Sequence, residues 1–461
     1  MTAQPLFPCQ EKAIARLVKG EPVYLAFDMG LGKSRTFIEA VKQRGASRVL
    51  ILCPASARLV WKREISRWDP GAGISMVDRP DHLSTDARYT VVTHGLFSQR
   101  NGTVIGAFAS CPPFEMTAID EAHAFNAPDS LRVKALKRLP AKFGYIIPLS
   151  GTPIRNHAGD IYNMMLLCYP QGLRIQAATG PTIMHRLAFE DQFCRVADKV
   201  YNNHHVRVIE GSKNLEALKS RLAPFMFRVR KSEVLKDLPP ILWDHVAVPL
   251  NGGLNPSIPE VAEDLRRVLL DAAASGVEAE LLATMAKEPH IMKLRRLLGI
   301  AKLRGACDYL VDMLDNLPED RKILVFGVHI DVIGALRDHL GEYNPAVIIG
   351  ATDPRHRARE VDRFLTQSSC RVFIGNIQAA GTALTLVGPQ CKCSDVVFVE
   401  SSWTSADNAQ AACRIHRIGQ HDGVVARMLT TDHAVDELIH RILVRKAREF
   451  SQLFDQRGEV Q

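Results

Sequence analysis

Short apolar runs, each followed by a more polar segment long enough for a helix, recur in two sets along this chain. That alternation limits its fold more than any other feature. The first set comprises Val23–Phe27, Arg48–Pro54, Tyr89–Thr93, Met116–Ile119 and Tyr145–Leu149, and Thr36–Val41 reads as the helix after its first member. The second set comprises Lys322–Phe326, Ala346–Ile349, Cys370–Ile374 and Asp395–Val399. Apolar runs of this length, joined through helices, form parallel sheets covered on both faces. The expected fold class is therefore α/β, with two parallel-sheet lobes.

Between the sets, residues 158–227 read as mostly helical and basic. Arg228–Pro240 ends in a double proline that reads as a boundary. A second helical stretch is expected from 251 to about 315, and Ala434–Phe454 has apolar residues at helical spacing. The expected division is a first lobe over 1–235 with a helical insertion at about 158–227, a linker and helical insertion over 236–320, and a second lobe over 321–461 with a terminal helix. The length of 461 residues suffices for two cores of about 200 residues each. The net charge of +8 hints at an anionic partner without fixing its class. The ten cysteines are scattered, and the close pair Cys391–Cys393 lacks zinc-site spacing. No apolar run approaches the ~20 residues of a membrane span, and the first residues do not read as a signal peptide. A reducing, cytoplasmic setting and no membrane partner are the expectation.

Three constellations carry chemistry. Gly30-Leu-Gly-Lys-Ser34 follows a strand and opens a helix. Glycines there let backbone N–H groups turn around phosphate oxygens, and the helix N-terminus adds positive charge. Lys33 would reach the β and γ phosphates, and the Ser34 hydroxyl would ligate Mg²⁺. Phe27 stands where the strict phosphate-loop pattern has its first glycine. Asp120-Glu121 directly follows an apolar strand, at the sheet edge where ligands bind in α/β proteins. Asp120 would hold the metal and Glu121 would activate water. Arg414 and Arg417, three apart before a Gly-Gln turn, lie in the second lobe. An arginine arriving from another domain can stabilise a transferring phosphoryl group, which makes hydrolysis depend on closure. Each signal is weak alone; their order along one chain is what weighs.

With these motifs in hand, the chain resembles the Swi/Snf-type DNA-dependent ATPases of helicase superfamily two, and its wording is most similar to the annealing-helicase subgroup. Gln10 resembles that family's adenine-reading glutamine, and Asp28-Met29-Gly30-Leu31-Gly32-Lys33-Ser34 its phosphate loop. Leu52–Ser56 with Trp61 and Val92–Leu96 resemble DNA-contact motifs, which implies contacts from Pro54, Ser56, Trp61, Thr93, His94 and Gly95. Asp120–His123 resembles the DEAH box, Leu149–Asn156 the coupling motif and Arg228–Pro239 the linker. Ala380-Gly381-Thr382 opens the second-lobe motif next to DNA, and Trp403 matches a tryptophan usual beyond it. The ending His416-Arg-Ile-Gly-Gln420 is the most specific mark. The chain departs from the pattern at Phe27, at Cys9, and at Ala412-Cys413, which replaces an acidic pair before Arg414.

The resemblance implies two RecA-like lobes that bind ATP and Mg²⁺ between them. It implies a translocase on duplex or branched DNA, gripped mostly through phosphates. Strand annealing and fork remodelling fit such a motor. With no accessory module apparent in 461 residues, it reads as a bare motor of a bacterial or virus-infected cell. Helical insertions suit clamping a duplex better than splitting it. Two alternatives stand beside this: a superfamily-two helicase that unwinds RNA or DNA, and a non-catalytic DNA-binding scaffold.

Overall fold

The computed structural model describes residues 5–98, 103–127, 130–177, 180–201, 204–249, 289–380, 384–388, 391–417 and 419–431. The terminal helix expected at 434–454, Gly381 and Thr382, and residues 251–288 of the expected helical stretch lie outside the described residues. Strands run in chain order as β1 (Tyr24–Phe27), β2 (Val49–Cys53), β3 (Ile74–Val77), β4 (Tyr89–Thr93), β5 (Met116–Asp120) and β6 (Tyr145–Leu149). Next come β7 (Arg174–Ala177), β8 (Gly180–Ile183), β9 (Cys194–Tyr201), β10 (His204–Ser212), β11 (Met226–Val229) and β12 (Ile241–Ala247). The last are β13 (Arg321–Gly327), β14 (Ala346–Ile348), β15 (Val372–Asn376), β16 (Lys392–Phe398) and β17 (Val424–Thr430).

The first sheet has the order β11-β1-β6-β5-β2-β4-β3, and the second β12-β17-β16-β13-β15-β14. Every pairing within both is parallel. Central strands such as Val49–Cys53 are buried at each position, which is why they read as unbroken apolar runs. Each sheet lies between two apolar layers. In the first lobe one layer contains Phe97, Phe108 and Phe143, and the other Phe27, Phe37 and Trp61. In the second lobe the layers centre on Phe326 and Phe373, and on Leu310, Val325 and Val397. This is the two-lobe α/β architecture expected from the alternation.

Two expectations are corrected. The insertion at 158–227 is not chiefly helical. It carries short helices at Tyr162–Cys168, Arg186–Phe193 and Leu215–Leu222, but also two antiparallel hairpins, β7–β8 and β9–β10. The reason is legible in part: Val206, Arg207 and Val208 in β10 alternate branched and polar residues with period two, a pattern that suits a strand, whereas β9 lacks that alternation and is set by its antiparallel pairing with β10. The segment at 236–320 is also more than linker and insertion. β12 adds an edge to the second sheet, with Ile241 to Ala247 in register with Val424 to Thr430. The helices Pro289–Ala301 and Leu303–Asn316 follow, and Leu310 and Leu314 pack under β13. The second lobe therefore begins just past the double proline. β12 hides from sequence inspection because it is an edge strand, exposed at most positions.

Phe143 is fully buried and meets Phe97 and Phe108 edge-on at ring separations of 5.6 and 6.0 Å. Phe143→Ala is expected to cost about 3–5 kcal/mol. The check is urea unfolding followed through the first lobe; a loss under about 1 kcal/mol would remove this ring from the core.

Candidate active site

The phosphate-loop segment leaves β1 at Phe27, the edge strand β11 having fixed its path. Asp28 N donates to Val229 O at 2.9 Å. Gly30 and Gly32 take positive φ angles of 87° and 73°, and the helix Lys33–Arg44 begins at once. A Cβ at Gly32 would lie 2.5 Å from Gln10 Nε2, so a side chain there would be strained at this positive φ and would displace the Gln10 amide. Leu31 is buried and anchors the loop to the core. Lys33 Nζ donates to Phe27 O at 2.9 Å and Asp28 O at 3.4 Å. Burial lowers the Lys33 ammonium's pKa, while Glu121, Asp120 and Asp28 work against that.

The acidic pair emerges at the end of β5. In the sheet order β6 separates β5 from β1, so both strands deliver their ends to one edge. Asp120 Oδ2 accepts from Trp61 Nε1 at 2.8 Å, and Oδ1 accepts from Glu121 N at 3.0 Å. Burial first, and the Glu121 charge second, push the Asp120 carboxyl up to about 7. Glu121 sits at φ 49°, a backbone region that costs a non-glycine residue of order 1 kcal/mol. Burial works against its charge, but His123, Lys33, Arg414 and Arg155 hold its pKa low. Glu121 Oε1 accepts from Gln410 Nε2 at 3.0 Å, whereas Oε2 is out of solvent, 3.3 Å from His123 Nδ1 and without a hydrogen bond.

The second lobe closes the site. The helix Ser405–Ala412 follows β16, and Arg414 and Arg417 project from the turn after it. Arg414 is buried, with Nε donating to Gln410 O at 3.0 Å and one terminal nitrogen to Leu384 O at 2.9 Å. Its other terminal nitrogen lies 4.0 Å from Met29 Sδ. Burial, then Arg417, brings its pKa down to about 9. Arg417 donates to Cys413 O at 3.0 Å and Thr385 Oγ1 at 2.8 Å. A cleft of about 630 Å³ results, lined by Gln10, Met29, Gly30, Gly32, Lys33, Ser34, Pro54, Ser56, Trp61, Asp120, Glu121, Arg414 and Arg417 among others. An elevated carboxyl and an orphaned carboxylate oxygen beside a serine are what a hard divalent cation would satisfy, so these residues fit Mg²⁺.

Several candidates from the sequence sit elsewhere than expected. Trp61, read as a nucleic-acid contact, is 1% exposed, and its indole holds Asp120. His94 is 5% exposed against Phe125, and burial brings its pKa down to about 4. Both lie on apolar faces that neighbouring core residues cover. Pro54 and Ser56 line the cleft. Thr93 caps the turn His94–Phe97 through Leu96 N, and Gly95 is exposed beside it. Trp403 stacks under Arg295 at 4.4 Å, and the helix Ile377–Ala380 places Ala380 at the end of β15. Asp28 faces Arg228 at 2.7 Å and Lys231 N at 2.9 Å, so its carboxylate braces the loop from behind. Gln10 donates to Leu31 O at 3.1 Å, while its oxygen accepts from Phe7 N. Sequence reading missed Gln410, which reaches Glu121, and Arg155, which is ion-paired with Asp407 across the lobes. Both lay inside motifs already singled out, but only the fold shows where they point.

Comparison with known proteins now adds to this geometry. A model of the SNF2-related domain matches residues 17–254, and one of the helicase conserved C-terminal domain matches residues 305–419. The human DNA annealing helicase and endonuclease ZRANB3 is 27% identical over 96% of this chain and 40% of its own length. A Caenorhabditis elegans homolog of SWI/SNF-related matrix-associated actin-dependent regulator of chromatin subfamily A-like protein 1 is 26% identical over 96% of this chain and 61% of its own. The chain thus spans less than two thirds of the length of these relatives. The Sulfolobus solfataricus SWI2/SNF2 ATPase core in complex with dsDNA aligns over 98% of this chain and 92% of its own, with 21% identity and a TM-score of 0.43.

Gly32→Ala is expected to weaken nucleotide binding by roughly tenfold or more, since a cradle displaced by about an ångström can cost that much. Its folding cost should stay near about 1–2 kcal/mol, the strain of a left-handed alanine. Nucleotide titration beside a urea melt separates the two; unchanged affinity would mean that this loop does not hold phosphate.

Proposed function

This chain belongs to the SNF2-related domain family, and from that premise we propose that it is an ATPase stimulated by duplex or branched DNA, moving along the duplex as its lobes open and close. One observation carries the reading. A lysine and two carboxylates from one lobe share a single cleft with two arginines from the other. ATP would lay its phosphates along Asp28–Ser34, with Lys33 Nζ exchanging the carbonyls of Phe27 and Asp28 for phosphate oxygens. Ser34 and Asp120 would hold Mg²⁺, which supplies charge neutralisation across the β and γ phosphates. Trp61 fixes the Asp120 carboxylate for that task. Glu121 keeps its charge and takes the proton of the attacking water. Arg414 and Arg417 meet the charge that builds on the leaving phosphates, and only while the lobes are closed. Gln410 reports that closure directly to Glu121, and the Arg155–Asp407 pair reports it to the segment after β6. A non-catalytic scaffold would have no use for charges gathered into one cleft from both lobes.

DNA would lie across both lobes and be held through its phosphates. The annealing-helicase name of a relative supports strand annealing as the task. The Gly419-Gln420 ending supports DNA over RNA.

The deciding assay measures ATP hydrolysis with single-stranded, duplex and forked DNA and with RNA. Stimulation by duplex or forked DNA is expected; stimulation by RNA alone would move the protein to the RNA helicases. In the same assay Glu121→Gln should bind ATP normally and turn over about 10²–10⁴-fold more slowly, the usual worth of a positioned base. Equal loss of binding and turnover would make Glu121 a structural residue.

A second reading, strand separation, is favoured by the β9–β10 hairpin, because an antiparallel hairpin has the shape of a wedge. Paired assays on matched substrates distinguish the two. ATP-driven displacement of a third strand from a triplex, with little separation of a plain duplex, is expected of the translocase. Efficient unwinding of a long plain duplex would establish the wedge.

A further inference from the structure

Cys413 stands where the family pattern has an acidic residue, immediately before Arg414, and the structure gives that exchange a use. Lys231 opens the short helix after β11 and is 7% exposed. Its backbone N–H donates to Asp28 Oδ2 at 2.9 Å, so it is fixed to the phosphate loop. Its side chain crosses to the other lobe. Nζ donates to Cys413 Sγ at 3.3 Å and His416 O at 2.6 Å. His416 Nε2 in turn lies 2.7 Å from Pro239 O. Cys413 O accepts from Arg417 Nε, and Cys413 is bonded to Arg414, so this residue governs the backbone of both arginines. A Cβ placed on Gly30 would fall 3.6 Å from Arg417 Cγ and 3.8 Å from Lys231 Cε. The two stems therefore flank the glycine where the lobes meet.

We propose that Lys231 and Cys413 form an interlobe latch, a positioning pair in which sulfur takes the part of a carboxylate and sets the arginine pair over the phosphate loop. The proposal rests on the ATPase reading for its kinetic consequence, not for the contact. The charged groups facing the sulfur are Lys231 from the first lobe and Arg414, His416 and Arg417 from its own segment. Burial alone would push the thiol up, but a hydrogen bond from His416 and the Lys231 charge bring it down to about 7. The sign follows from linkage. A depressed folded value means that the thiolate's contribution is complete above the ordinary thiol range and is lost as pH falls through about 7. A carboxylate at this position would stay ionised throughout. This chain's latch is therefore released by protons near neutrality.

The test begins with the contact itself. Ultraviolet thiolate absorbance of the full chain is recorded against pH, with Cys413→Ser subtracted. Titration near 7 is expected, and Lys231→Met should raise it by roughly one unit or more, as loss of a close opposite charge does. A thiol titrating near its ordinary value of about 8.5, or unmoved by Lys231→Met, would overturn the latch. DNA-stimulated hydrolysis is then measured. Cys413→Ser should lose roughly tenfold in kcat with little change in KM, on the scale of one charged hydrogen bond. Cys413→Asp should restore the rate and remove the fall in wild-type activity below pH 7. Serine at the wild-type rate, or aspartate without rescue, would also overturn the proposal. Absence of hydrolysis in wild type would instead overturn the ATPase reading, while the absorbance titration still decides the latch.

Discussion

An ammonium and two carboxylates, half-buried together at one sheet edge and faced by charges from both lobes, set the terms for the rest of the molecule. Lys33 leaves the end of β1 and Asp120 and Glu121 the end of β5, so the parallel order of the sheet forces them together. Removing such charges from water costs several kcal/mol each unless hydrogen bonds and opposite charges surround them. The surroundings are accordingly crowded with neutral donors and braces: the Trp61 indole on Asp120, the Gln10 amide on Leu31 O, and the Asp28 carboxylate tied to Arg228. Residues that looked like ligand contacts in sequence are here supports for groups that would make those contacts.

The same constraint explains how the two lobes communicate. Glu121 occupies a left-handed backbone conformation that persists because Asp120 Oδ1 binds its N–H and Gln410 its Oε1. One of those partners belongs to the other lobe. Opening the lobes would thus remove a restraint from Glu121, the residue proposed to activate water, and withdraw Arg414 and Arg417 at the same time. Arg155 and Asp407 add a parallel link from the segment following β6, where Asp160 Oδ2 fixes the backbone of Arg155 and Asn156. Position of the lobes and competence of the base are one variable.

How much of this was legible in the sequence depends on which periodicity each residue obeys. The central strands were plain because burial on both faces leaves an unbroken apolar run, as in Val49–Cys53. The phosphate loop and acidic pair were plain because their chemistry demands particular residues at strand ends. Edge strands were not. β12 and β3 are only half covered, and a mixed surface resembles a linker. The β9–β10 hairpin was lost inside a segment whose overall composition resembles helix. Trp61 and His94 were legible as important but not as buried, since a motif records that a residue is needed without recording which way it faces. Gln410 and Lys231 needed the fold, because each acts on a residue about 180 or more positions away.

Among the described residues no buried apolar cluster spans the two lobes, and that bears on the strength of their contact. Among the described residues, each hydrophobic cluster lies wholly within one lobe: two are built from residues up to Leu235, two from Ile241 onward. The hydrogen bonds and ion pairs that cross include Arg155 to Asp407, Gln410 to Glu121, and Lys231 to Cys413 and His416, with His416 also reaching Pro239 between the lobes. Such bonds are worth about 0.5–1.5 kcal/mol net when neutral and about 1.5–3 when charged. Taken together, a few such bonds come to several kcal/mol, the order of the ~5.5 kcal/mol that carries a two-state equilibrium from 1:99 to 99:1. An interface closed by burial of apolar side chains would be too strong for a nucleotide to reopen. One closed by a few hydrogen bonds on either side of a charged cleft sits where the gain or loss of a γ-phosphate can decide it. The polarity of the seam is thus what the proposed motor would require, since it would have to open again after every turnover.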